Sequence, residues 1–155
     1  MTKAHEIMID SVITVSEKDK VQTVLKAFVD NRISGLPIVN AKNEPVGFIS
    51  DGDVMSYIGY RDPIVFFSDF TFYTNTWVDN EPMENKIKNL SDLNVMNIAT
   101  KKIIAVSYDE EVDKVAKILG QKKIKKVMVV KDKKLVGIIS RGDVIRFVVK
   151  NYLEV

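Results

Sequence analysis

The feature that most limits what this chain can become is that it says nearly the same thing twice. "GFISDGDV" at 47–54 returns as "GIISRGDV" at 137–144. "ITVSEKDKVQTVLKAF" (13–28) lies over "IAVSYDEEVDKVAKIL" (104–119) at an offset of 91, which falls to 90 after a turn that is one residue shorter in the second copy. A repeat of this kind means one supersecondary unit built twice. Each copy opens with a short β-branched run and a polar stretch. Apolar residues then fall at i, i+3, i+4 and i+7: Val21, Val24, Leu25 and Phe28 in the first copy, Val112, Val115, Ala116 and Leu119 in the second. That stripe predicts an amphipathic helix. "ISGLPIVN" (33–40) and "IKKVMVVK" (124–131) read as buried strands, and "VGFIS" (46–50) and "VGIIS" (136–140) as the strands that pair with them. A second helix follows in each copy, with Val54, Met55 and Ile58, or Val144, Ile145 and Val148, expected on one face.

The expected fold is therefore α/β of the α+β type: two pseudo-symmetric β-α-β-β-α units, packed sheet to sheet, with an aromatic-rich insertion between them. A unit of ~50 residues buries too little surface to stand alone. Two units can cover each other. The boundaries read as 5–58 for the first unit, 59–93 for the insertion and 94–150 for the second.

Composition removes several function classes. The 155 residues include no cysteine and a single histidine, His5, so thiolate chemistry, zinc–sulfur sites and a Ser-His-Asp triad are not expected. A net charge of +2 does not argue for nucleic acid or a membrane surface. No apolar run reaches the ~20 residues of a membrane span, and "MTKAHEIMID" lacks the apolar core of a secretory signal. A cytoplasmic location is expected. The basic stretch "QKKIKKVMVVKDKK" (121–134) holds seven lysines against one aspartate. Its centre, "VMVV", reads as core strand and no aromatic is interleaved for base stacking, so nucleic acid is not the expected partner.

Ser50-x-x-Asp53 and Ser140-x-x-Asp143 sit where a strand turns into a helix. The simpler reading is capping, with the serine accepting from a helix N–H and the acid reaching back. The functional reading uses the same geometry: backbone N–H groups at a helix start favour phosphate, and a carboxylate beside them can accept both hydroxyls of a ribose, as in dinucleotide folds. The two readings are compatible.

This pattern, Gly-x-Ile-Ser-x-Gly-Asp after a strand, with "EIMIDSVITV" (6–15) and "NIATKKIIAV" (97–106) leading into the two copies, resembles the cystathionine-β-synthase (CBS) domain. Two copies in register resemble the paired form, the Bateman module. The resemblance covers about residues 5–58 and 94–150. It implies a binding module for adenosine ligands (AMP, ADP, ATP, sometimes S-adenosylmethionine) in clefts between the repeats, with no metal beyond magnesium carried by a nucleotide. By resemblance, Asp53 and Asp143 hold ribose, and Ser50 and Ser140 sit by the ribose or phosphate. The backbone at Thr14–Val15 and Ala105–Val106 reads the adenine edge. Pro37 and Met128, with Leu36 and Val127, wall the base. A homodimer through the helices is also implied.

The copies differ in charge. Arg141 follows the second serine, Asp51 the first. Lys101, Lys102, Lys125 and Lys126 stand where the first copy has Asp10, Ser11, Ser34 and Gly35. These differences place the expected phosphate site in the second copy. The insertion is the other outlier. Residues 57–77 hold eight of the chain's 13 aromatics, among them Phe66, Phe67, Phe70, Phe72, Tyr73 and Trp77. A lid, a dimer contact and a partner surface are open readings, and "ENKIKNLSDL" (84–93) is expected to be a short helix.

Three functions are weighed. A regulatory adenosine-nucleotide sensor without catalysis, passing its signal to an unidentified effector protein, leads. A structural dimerisation module with empty clefts, or an S-adenosylmethionine binder, is the alternative. A magnesium-dependent hydrolase using Asp51 and Asp53 is third, weakened because the second copy lacks the pair.

Overall fold

A computed structural model describes residues 1–59, 81–122 and 124–155 in full, and the backbone of 63–67 and 73–77. In the first copy, a one-turn helix α1 (Ala4–Ile7) precedes β1 (Val15–Ser16), α2 (Val21–Asn31), β2 (Gly35–Val39), β3 (Pro45–Ser50) and α3 (Asp51–Gly59). β1 pairs parallel with β2, and β2 antiparallel with β3. A parallel pair needs a crossover, and α2 supplies it. A hairpin β4 (Pro63–Phe67) and β5 (Tyr73–Trp77) lies in the insertion, followed by α4 (Met83–Asp92). The second copy repeats the plan with β6 (Ala105–Ser107), α5 (Val112–Gln121), β7 (Lys126–Lys131), β8 (Lys134–Ser140) and α6 (Arg141–Tyr152), again as parallel then antiparallel pairs. The result is the expected α/β pair of three-stranded sheets, stacked about a pseudo-two-fold axis.

The axis is visible in hydrogen bonds that come in matched pairs. Ile9 bridges Ile138, and its counterpart Thr100 bridges Phe48. Lys3 bridges Glu111 as Asn94 bridges Lys20. The Ala4 N–H donates to the Glu110 carbonyl at 2.7 Å, as the Val95 N–H does to Asp19 at 3.0 Å. The segment leading into each copy therefore crosses over and completes the other copy.

The cores obey the same exchange. Ala4, from the first lead-in, is fully buried with Val106, Val115, Leu119, Val127, Val129 and Ile139 of the second copy. Val95, from the second lead-in, is fully buried with Val15, Val24, Leu36, Ile38 and Ile49 of the first. A third cluster joins Val21 and Val54 to Leu90 of α4. The helix expected at 84–93 is thus present, and its apolar face belongs to the first copy although it precedes the second.

The second helices depart from expectation. Val54 and Val144 are buried, but Met55 is 60% exposed, Ile145 61% and Val148 38%. Val54 and Met55, like Val144 and Ile145, are adjacent in sequence. Neighbours stand about 100° apart on a helix of 3.6 residues per turn, so one points inward and the next points away. Of the aromatic cluster, Tyr60, Phe70 and Phe72 and the side chains of Phe66, Phe67, Tyr73 and Trp77 lie outside the described residues. So do the lid, dimer and partner readings of the insertion. Among the described residues, no helix is long and apolar enough to cross a membrane.

Candidate functional site

A cleft of ≈ 380 Å³ opens between the two copies, a volume suited to a small ligand. From the first copy come Ser34, Gly35 and Phe48 of the sheet, and Ser50, Asp51 and Gly52 where β3 turns into α3. From the second come Thr100, Lys102, Ile104, Ile124, Lys125, Lys126 and Met128. Strand alternation explains the apolar wall: Val127 points into the second core and is fully buried, so Met128 faces the cleft. Phe48 alternates with the buried Ile49 in the same way.

The lysines converge for a topological reason. β6 and β7 run parallel, with Ala105 opposite Met128. Lys102 and Lys125, each three residues before that pair, stand at the same end of neighbouring strands. Lys126 is the first residue of β7, half-buried, and pairs with Ser140. None of the three makes an ion pair among the described residues. The carboxylate among the cleft's residues is Asp51, whose Oδ1 accepts the Gly52 N–H at 2.8 Å.

Both Ser-x-x-Asp turns are capping boxes. In the first, Asp53 Oδ2 accepts the Ser50 N–H at 2.9 Å and the Ser50 hydroxyl at 3.2 Å. In the second, Asp143 Oδ2 accepts the Ser140 N–H at 2.8 Å and its hydroxyl at 2.9 Å, while Oδ1 accepts Arg146 Nη2 at 2.6 Å. The capping reading thus holds. The turns differ in one respect. Both oxygens of Asp143 are engaged, whereas Asp53 Oδ1 has no donor among the described residues. Burial pushes the Asp143 carboxyl up, but the Ser140 N–H, the Arg146 guanidinium and the Ser140 hydroxyl outweigh it and hold the group below the usual aspartate value.

The structure sorts the expected site residues into groups. Ser50, Lys126 and Met128 line the central cleft. Asp143 lines a separate, shallower cleft of ≈ 400 Å³ with Thr2, Glu6, Arg146 and Lys150. Thr14, Val15, Leu36, Pro37, Asp53, Ala105, Val106, Val127, Ser140 and Arg141 line neither of these two clefts. Leu36, Val15, Val106 and Val127 are core residues. Arg141 Nε donates to the Ile124 carbonyl at 2.8 Å, and its N–H to the Lys125 carbonyl at 3.1 Å, so it braces the strand start. The second copy's lysines thus share a cleft with the first copy's serine turn, and Arg141, although bonded to the backbone of Ile124 and Lys125, does not line it. Sequence reasoning missed Phe48, Ile104 and Ile124 as walls and Arg146 as the partner of Asp143. Strict alternation along β3 and the i, i+3 spacing of Asp143 and Arg146 were the available signals.

Comparison with known proteins bears on what such a cleft is for. The chain matches the profile of the CBS domain over residues 4–60 and again over 95–150. It is 28% identical over 147 residues to the uncharacterized protein MJ1426 of Methanocaldococcus jannaschii, covering 90% of this chain and 87% of that one. It spans only between 23% and 61% of other curated relatives it matches. Among solved structures, CBSX2 in complex with AMP superposes with a TM-score of 0.73 at 20% identity, covering 97% of this chain and 98% of that one. The CBS domain pair of MJ0100, in complex with 5′-methylthioadenosine and S-adenosyl-L-methionine, gives 0.66 at 22% identity, covering 95% of each.

Proposed function

We propose that this protein, which belongs to the CBS-domain family and carries that domain twice, is a regulatory module that binds an adenosine-containing small molecule between its copies and performs no catalysis itself. The observation that carries this reading is the central cleft, apolar along Phe48, Ile104, Ile124 and Met128 and polar at the Ser50 turn and the lysines. In this reading the base lies against the apolar wall, the ribose meets the turn at Ser50, Asp51 and Gly52 and reaches for the Asp53 carboxylate behind it, and phosphate meets the lysines. Three observations support seating the ligand here. Asp53, next in the chain after the cleft-lining Gly52, has one oxygen without a donor among the described residues, Asp143 has both engaged, and the lysines share the cleft with the first copy's turn.

The ligand belongs to the AMP, ADP or ATP class, with S-adenosylmethionine as the alternative. Binding of such a ligand across two copies shifts their relative arrangement only as far as it favours one arrangement over another. The output then passes to an effector protein in the cytoplasm, through a homodimer formed by the second helices. The exposed Met55, Ile145 and Val148 support that dimer. They also favour a second reading, a dimerisation module with empty clefts.

Calorimetric titration with AMP, ADP, ATP and S-adenosylmethionine tests both. Asp53→Ala is expected to weaken binding roughly ten- to hundredfold, as loss of a charge-assisted contact does, while Asp143→Ala leaves it within a few-fold. Unchanged affinity in Asp53→Ala removes the ribose role. Absence of heat with every compound, in a protein that sediments as a dimer, establishes the second reading instead.

A further inference from the structure

We infer that the central cleft selects ligands by charge, preferring an adenine nucleotide with a chain of two or three phosphates over one with a single phosphate, and disfavouring a cationic sulfonium. This rests on the proposed adenosine-binding reading and adds the ligand class.

The cleft's residues include three lysines, Lys102, Lys125 and Lys126, and one aspartate, Asp51. The lysines reach it from two neighbouring strand ends, held side by side by the parallel β6–β7 register. Among the described residues no carboxylate neutralises them. Such a set of ammonium groups is repulsive in the empty protein, and that repulsion is relieved by an anion long enough to touch all three. One phosphate group spans the reach of about one or two ammonium donors at hydrogen-bond distance. A diphosphate or triphosphate chain presents several oxygens in a row and carries enough negative charge to offset the net excess of two positive charges in the cleft. The positive centre of a sulfonium meets that excess as a like charge.

The charge belongs to one copy only. The positions in the first copy that correspond to Lys102, Lys125 and Lys126 are Ser11, Ser34 and Gly35, all uncharged. Of these, Ser34 and Gly35 line the same cleft. A duplicated pair with a single charged seat binds one phosphate chain in one orientation, with its phosphates toward the second copy.

The test is titration calorimetry of the full chain with adenosine, AMP, ADP, ATP and S-adenosylmethionine, at low and at raised salt. The comparison variant is Lys102→Gln/Lys125→Gln/Lys126→Gln; its replacements sit at exposed or half-buried positions, and circular dichroism verifies its fold. The expected order is ATP and ADP roughly tenfold tighter than AMP, one further charged contact being worth about that factor. S-adenosylmethionine is expected to bind no tighter than uncharged adenosine. Raised salt and the lysine variant should both compress this order, since contacts of exposed charges are screened. If adenosine binds while the nucleotides bind no tighter than it, or if the order survives in the lysine variant, charge selection is wrong and the adenosine reading stands. If S-adenosylmethionine binds as tightly as ATP, charge selection is likewise wrong. If none of the five binds, adenosine included, the adenosine-binding reading itself has failed and takes this inference with it.

Discussion

A glycine precedes Ile-Ile-Ser in one copy and Phe-Ile-Ser in the other, at 137 and 47, and close approach of the crossing segments accounts for it. A Cβ on Gly47 would lie 3.3 Å from the Thr100 carbonyl oxygen. A Cβ on Gly137 would run into the Met8 side chain. Both glycines sit where the lead-in of the opposite copy lies on the sheet. Gly137→Ala is therefore expected to cost about 1–3 kcal/mol by overpacking. Met8→Ala in the same chain should recover part of that loss, and a double-mutant cycle in urea measures the coupling. A purely additive pair would remove the contact from the account. Asp143 makes a second prediction at this scale. Its carboxyl is held below the ordinary aspartate value, so its contribution to stability is complete above about pH 4, the unfolded value, and fades as pH falls through the folded value. Asp143→Asn should be less stable than the natural chain near pH 7, and the gap should narrow on acidification below pH 4, read as denaturation midpoints across that window.

Elements tell a different story about what the sequence shows. The strand and helix order was legible because each apolar pattern is local: Val21, Val24 and Phe28 announce α2 without reference to anything else. The exchange was not legible. "AHEIMID" and "VMNIAT" look like prefaces to the copies they precede, and no spacing within them says that Ala4 is buried under α5 and Ile139 while Val95 is buried beneath Ile38 and Ile49. The site suffered from the same gap. Lysines at 102, 125 and 126 could be assigned to the second copy by position, but which serine turn they face depends on how the sheets stack. The charge asymmetry was readable and its address was not. The exchange predicts that removing residues 1–9 damages the second copy first. Amide hydrogen exchange at Ile138, whose N–H donates to the Ile9 carbonyl at 3.0 Å, should accelerate more than exchange at Phe48, whose partner is the Thr100 carbonyl at 2.9 Å. Equal loss at both would mean the two exchanged segments are not independent.

For the molecule as a whole, interleaved cores mean that the copies have little stability apart. Thermal unfolding is expected as one transition, with calorimetric and van't Hoff enthalpies that agree; two resolved transitions would contradict the exchange. A ligand that binds only the folded pair should raise the stability by about 2.7 kcal/mol at a hundred times its dissociation constant, seen as a shift of that single transition. The crossed arms also set terms for any attempt to cut the chain at its middle. A fragment ending near residue 58 would carry a key whose lock has been discarded, and a groove whose filler is missing. Two such fragments can satisfy each other by trading arms, so a lone half is driven to pair with its twin.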